Sequence, residues 1–180
     1  LDGIDKNRLL KIIKILKKIR NSQRRLFIIG VGGSAGNASH AVNDFRKLCN
    51  IDALTPVDNI SEITAKTNDE GFDTIFDSYL KLSKFDKSDV LMIFSVGGGN
   101  ITKKVSVNLI KAMKYAKAKK GKTISIVGKT DGYAYKNSDI SILIDVKDKK
   151  LVTPVSETFQ ALIWHLFVSH PDLQLNKTKW

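Results

Sequence analysis

The chain has 180 residues, 42% of them hydrophobic, and 30 Lys and Arg against 18 Asp and Glu give it a formal net charge of +12. That length and balance suit one globular domain with a real core. They exclude a bilayer-spanning segment, since no apolar run is long enough, and the single Cys49 excludes an internal disulfide. No charged-then-apolar leader opens the sequence, and one cysteine fits a reducing compartment, so cytoplasm is expected. Arginine occurs only at positions 8, 20, 24, 25 and 46. The lysines are scattered through helices and are not gathered with aromatics into a reading face. The charge therefore reads as a lysine-rich surface that attracts phosphorylated substrates, not as a nucleic-acid interface.

Ile4, Leu9, Leu10, Ile12, Ile13, Leu16 and Ile19 recur at helical spacing among lysines and predict an amphipathic helix over residues 4 to 20. It packs either across the core or against another subunit. Leu26 to Ile29 is a short apolar run of the length of a buried strand. Gly30, Gly32, Gly33 and Ser34 follow, and Ala35 to Leu48 reads as a helix. A strand feeding a glycine turn that opens a helix is a phosphate-binding device, because backbone N–H groups approach the anion where the helix dipole favours it. His40 and Asp44 lie four residues apart on one face of that helix.

Ile51 to Val57 predicts a short edge strand ending near Pro56. Asp58 or Asn59 offers the next helix cap, Thr67 to Gly71 reads as a turn, and Phe72 to Leu82 has helical spacing. Val90 to Ser95 is a second buried strand running into Gly97, Gly98 and Gly99. A basic loop follows, and Ser106 is placed to cap a helix through Ala118. Thr123 to Val127 is a third strand, ending at Gly128 to Gly132, and Ile140 to Ile144 is a fourth. Pro154 breaks the chain before a last long helix from Ser156 or Glu157 to Val168, and a polar tail runs from His170 to Trp180. Strands separated by helices imply a mostly parallel, doubly wound sheet in a three-layer α/β/α sandwich of flavodoxin-like type. All the glycine turns then lie at its carboxyl edge, where such folds bind ligands.

The residues leave several chemistries open. Gly30-x-Gly32-x-x-Ala35 fits part of a dinucleotide fingerprint, but the strand before Asp52 is poor, and no Walker lysine follows. Two glycine turns with Ser34, Ser95 and Ser106 fit one compact phosphate better. His40 and Asp44 read equally as a surface pair or as acid–base or metal-binding groups. Glu157 and His165, eight residues apart, lie about 80° apart around the last helix. Taken alone they read first as a first-turn acid and a packed histidine.

Together these pieces resemble a known family. Gly32-Gly33-Ser34, His40 with Asp44, Thr67-Asn68-Asp69-Glu70-Gly71-Phe72, Ser95 with its glycine turn, Gly128-Lys129, and Glu157 with His165 are similar to the sugar isomerase (SIS) domain. Within that group they are similar to bacterial phosphoheptose isomerases. The resemblance implies one SIS domain over residues 1–180: a helix within 1–23, an α/β sandwich over 24–170 and a tail over 171–180. It implies conversion of sedoheptulose 7-phosphate to a heptose 7-phosphate by a homo-oligomer, a tetramer or a dimer, with sites shared between subunits. Gly32, Gly33, Ser34, Ser95, Gly97, Gly98, Gly99 and Ser106 would hold the phosphate, and Asn68 and Asp69 would approach the sugar. Asp44 stands where the family has its glutamate base, and His165 at the catalytic histidine. His40, Asp44, Glu157 and His165 occupy positions that bind Zn²⁺ in some members; no nucleotide cofactor is expected. The chain departs from the pattern at Asp44 (glutamate), Glu157 (glutamine), Gln160 (often histidine), Val31 (asparagine) and in an insertion before Ser106. Two other readings stay open, a non-catalytic SIS module that binds phosphosugars or a protein, and an NAD-binding oxidoreductase.

Overall fold

A computed structural model describes residues 4–178. Five parallel strands, β1 (Arg25–Ile29), β2 (Asp52–Leu54), β3 (Val90–Ser95), β4 (Lys122–Val127) and β5 (Ile140–Leu143), form one sheet in the order β2-β1-β3-β4-β5. The expected doubly wound α/β architecture is therefore present, with the order reversing between β1 and β3. β2 is the short edge strand, stopped by Pro56, whose missing N–H cannot serve a ladder.

Helix α1 (Lys6–Asn21) starts on Asp5, whose carboxylate accepts from the Arg8 N–H. Its Leu9, Ile12, Ile13, Leu16 and Ile19 are buried in the domain's own core. Burying five such side chains contributes on the order of 10 kcal/mol before ordering entropy, and the Arg8 guanidinium further ties the helix to the Ser141 carbonyl of β5 at 2.7 Å. Helices α2 (Gly33–Cys49) and α7 (Val152–Val168) pack with α1 over one face of the sheet. Helices α4 (Ile75–Leu82), α5 (Val107–Ala118) and the short α6 (Tyr133–Asn137) cover the other. Helix α3 (Ile60–Glu70) buries none of its side chains. No helix among the described residues is long and apolar enough to cross a membrane.

Three local expectations are corrected, and one helix, α6, was not foreseen. Thr67 to Glu70 is not a turn but the last turn of α3, which ends at Gly71, a residue at φ +86°. α6 is short enough to carry no periodicity. α7 begins at Val152, ahead of Pro154, because a proline in a first turn removes an N–H that has no helical acceptor. Ser106 does stand before α5, but at φ +48°, and its hydroxyl makes no capping bond.

Candidate active site

β1 delivers the chain to Gly30 at the carboxyl edge, and α2 starts three residues later. A Cβ on Gly30 would lie 2.6 Å from the Ser34 carbonyl carbon and 3.0 Å from the Ala35 nitrogen, so only glycine lets the helix begin this close to the strand. The first turn of α2 faces the first turns of α7. The Ser34 hydroxyl donates to Gln160 Oε1 at 2.9 Å, and Asn37 Nδ2 donates to the Glu157 carbonyl and to Gln160 Oε1 at 2.9 and 3.2 Å. A Cβ on Gly33 would strike the Glu157 carboxylate. Glu157 thus sets its charge against the N-terminus of α2, a favourable place for an anion.

These bonds hold α2 and α7 parallel. Two turns on, they bring His40, Asp44 and His165 together, with one ligand atom from each mutually within 4.8 Å. Asp44 is only 2% exposed and accepts from Asn43 Nδ2 at 2.8 Å, while His40 Nε2 stands 3.9 Å from its Oδ2. The His165 ring stacks on Trp164, centroids 3.5 Å apart, and meets His40 edge-on at 5.5 Å. His165 Nδ1 lies 2.8 Å from the Ala161 carbonyl. A carbonyl only accepts, so this bond places a proton on Nδ1, and in the neutral ring Nε2 is then the nitrogen with the lone pair. Glu157 does not join the three.

This donor set suits a borderline metal such as zinc: two imidazoles and a carboxylate, one imidazole already oriented through its other nitrogen. Atoms bound to one tetrahedral zinc stand about 3.3 Å apart, so the exposed imidazoles need swing inward only slightly.

The phosphate candidates separate. The Ser34 hydroxyl is buried and committed to Gln160. The Ser95 hydroxyl accepts from the Gly98 N–H at 2.9 Å and so shapes the second glycine turn, where Gly98 and Gly99 take φ +70° and +81°. The carbonyls of that turn are taken by α6, through Tyr133 and Ala134 N–H. Gly97 borders α6 as well, since a Cβ on Gly132 would strike its carbonyl. Ser106 is different. It lines a cavity of about 620 Å³ with Val31, Phe72, Asp73, Lys104 and Asn108. Asn68 and Asp69 lie exposed at the end of α3, bonded to each other at 2.8 Å. The sequence reading missed Asn37 and took Gln160 only as a departure. An amide three residues from Glu157, on the same face of one helix, was the available signal. Asp52 opens β2 rather than ending it, so it lies at the wrong edge of the sheet for the ribose of a dinucleotide.

Residues 4–128 match the SIS domain, and the chain belongs to the SIS domain family. Within it, the chain is 32% identical over 150 residues to the probable phosphoheptose isomerase of Thermoplasma volcanium, covering 79% of this chain and 72% of that one. It is 32% identical over 148 residues to the lincomycin biosynthesis protein LmbN of Streptomyces lincolnensis, and there spans 78% of this chain but 54% of the relative. The solved phosphoheptose isomerase of Neisseria gonorrhoeae superposes with a TM-score of 0.78 at 20% identity, covering 91% of this chain and 84% of that one, and so shares the fold.

Proposed function

We propose that the protein is a phosphosugar aldose–ketose isomerase that converts sedoheptulose 7-phosphate to D-glycero-D-manno-heptose 7-phosphate through an enediol. The carrying observation is the convergence of Asp44 with His40 and His165 on adjoining helices. Its relatives named phosphoheptose isomerase support the same reading.

Isomerisation moves a proton between adjacent carbons while the hydroxyl and carbonyl exchange places. Asp44 is the base that takes the proton from C1 and returns it to C2, a role worth about 10²–10⁴ in rate. The Nε2 of His165, unprotonated in this tautomer, accepts the hydroxyl proton and hands it to the other oxygen. A Zn²⁺ held by His40, Asp44 and His165 would act as a Lewis acid on the sugar oxygens. Such a metal would occupy the groups that otherwise move the protons, so its presence decides which chemistry runs. The phosphate is assigned to the cavity at Ser106. That cavity belongs to the α4–α5 face of the sheet and the triad to the α2–α7 face. We read a site using both as one completed by a second copy, in a homo-oligomer; a cytoplasmic setting fits the single cysteine. A binding role without turnover is the second reading, favoured by the shorter, buried Asp44. Incubation in D₂O tests the mechanism. Exchange of the Asp44 proton with solvent during the lifetime of the enediol predicts deuterium at C2 of the aldose product and at C1 of recovered ketose, and deuterium in neither sugar even after prolonged equilibration would contradict it.

A further inference from the structure

A turn over residues 100–105 precedes α5. Asn100 and Val105 close it with reciprocal backbone bonds of 2.9 and 3.0 Å, and the Lys103 N–H donates to Asn100 Oδ1 at 2.8 Å. The turn sets Lys104, at φ +51°, on the wall of the cavity that Ser106 lines, beside the N-terminus of the 12-residue α5. The Lys104 ammonium has no partner among the described residues. The other charged group on that wall, Asp73, is already paired with Lys111 at 2.6 Å. A second, independent sign comes from below. Asn108 also lines the cavity and is 1% exposed; its Oδ1 is held by the Leu109 N–H, yet its Nδ2 has no partner among the described residues. A buried amide donor without an acceptor costs free energy unless something in the cavity supplies one.

We propose that Lys104 is the charge that holds the substrate's phosphate in this chain, with Asn108 Nδ2 as a donor beneath it. A helix N-terminus, a free ammonium and an unmet donor then converge on one acceptor-rich dianion. The inference rests on the isomerase reading for its substrate, but not for the anion it binds.

The test is titration of the full chain with inorganic phosphate, followed by NMR at the Ser106, Val107 and Asn108 amides and the Asn108 side-chain NH₂. The expected result is saturable shifts at these groups, with affinity about tenfold weaker in Lys104→Gln, restored in Lys104→Arg, and less than about twofold changed in Lys103→Gln. Equal weakening by Lys103→Gln and Lys104→Gln would show only a general field and overturn the assignment. No shift at residues 106–108 in the unsubstituted protein would overturn it too. Lys104-dependent phosphate binding in a protein that does not turn over sedoheptulose 7-phosphate would sink the isomerase reading and leave this assignment standing.

Discussion

Gly30 is where a single methyl group separates this fold from a disturbed one. In Gly30→Ala the new Cβ meets backbone, not a side chain that can swing away. The Ser34 carbonyl carbon lies 2.6 Å from it, about 0.8 Å short of the 3.4 Å at which ordinary contact begins. The first turn of α2 must move by nearly that much from the end of β1, which is fully packed on both faces. Overpacking of this kind costs about 1–3 kcal/mol, or roughly 2–12 °C in Tm for a domain of this size. Because α2 carries His40 and Asp44, a displacement approaching 1 Å lowers turnover as well, by up to ~100-fold. Gly36→Ala is the control. Gly36 lies in the same helix with nothing within 4 Å of its Cβ position, and alanine in a helix interior gains up to about 1 kcal/mol. Thermal melts followed by circular dichroism read both. If Gly30→Ala melts with the unsubstituted protein, or Gly36→Ala falls as far, the close approach is not what requires Gly30.

Zinc at a hundredfold excess over its Kd raises stability by about 2.7 kcal/mol; the shift in Tm disappears in His40→Ala and His165→Ala, and Trp164 fluorescence reports the same titration because its ring stacks on His165. Ser34→Ala removes one buried donor from Gln160 while Asn37 keeps the other, so urea denaturation shows a loss of about 1 kcal/mol. Burial pushes the Asp139 carboxyl up, but the Thr123 N–H and hydroxyl and the Lys122 ammonium outweigh it, and its pKa is lowered. Its stabilisation is therefore present above the ordinary carboxylate value near 4 and lost as pH falls through the lower folded one; Asp139→Asn lowers Tm at pH 7 and flattens its fall below pH 4. Burial pushes the Cys49 thiol up to about 12, so a thiol reagent at pH 8 reacts only as the protein unfolds, and prompt labelling of the native protein would contradict that.

Much of this was legible in the sequence where one local rule dominates. Leu26 to Ile29 must be a buried strand, and the glycines after it leave room for little but a turn into a helix. The parallel sense of the strands followed from alternation alone, but their order did not. The spacing of His40 and Asp44 placed them on one face, but nothing local said that α7 lies beside that face. That neighbour relation comes from the sheet order and from Ser34, Asn37 and Gln160, whose bonds span more than a hundred residues of chain. The same long reach separates Glu157 from the triad, since its carboxylate settles at the start of α2. Pro154 misled because its local meaning depends on whether it falls inside a first turn. Asn108 carried no sequence signal, because an unmet donor exists only once the cavity around it does.

The most direct test of the account is incubation of the purified, metal-analysed protein with sedoheptulose 7-phosphate, following the aldose by NMR beside Asp44→Asn. The amide keeps the shape of Asp44 and removes its basicity, so the account predicts turnover by the unsubstituted chain and a loss of at least ~100-fold in the variant. Turnover that survives in Asp44→Asn would contradict Asp44 as the base, and no turnover by either, with the sugar phosphate still bound, would make the protein a phosphosugar-binding module rather than an isomerase of this substrate.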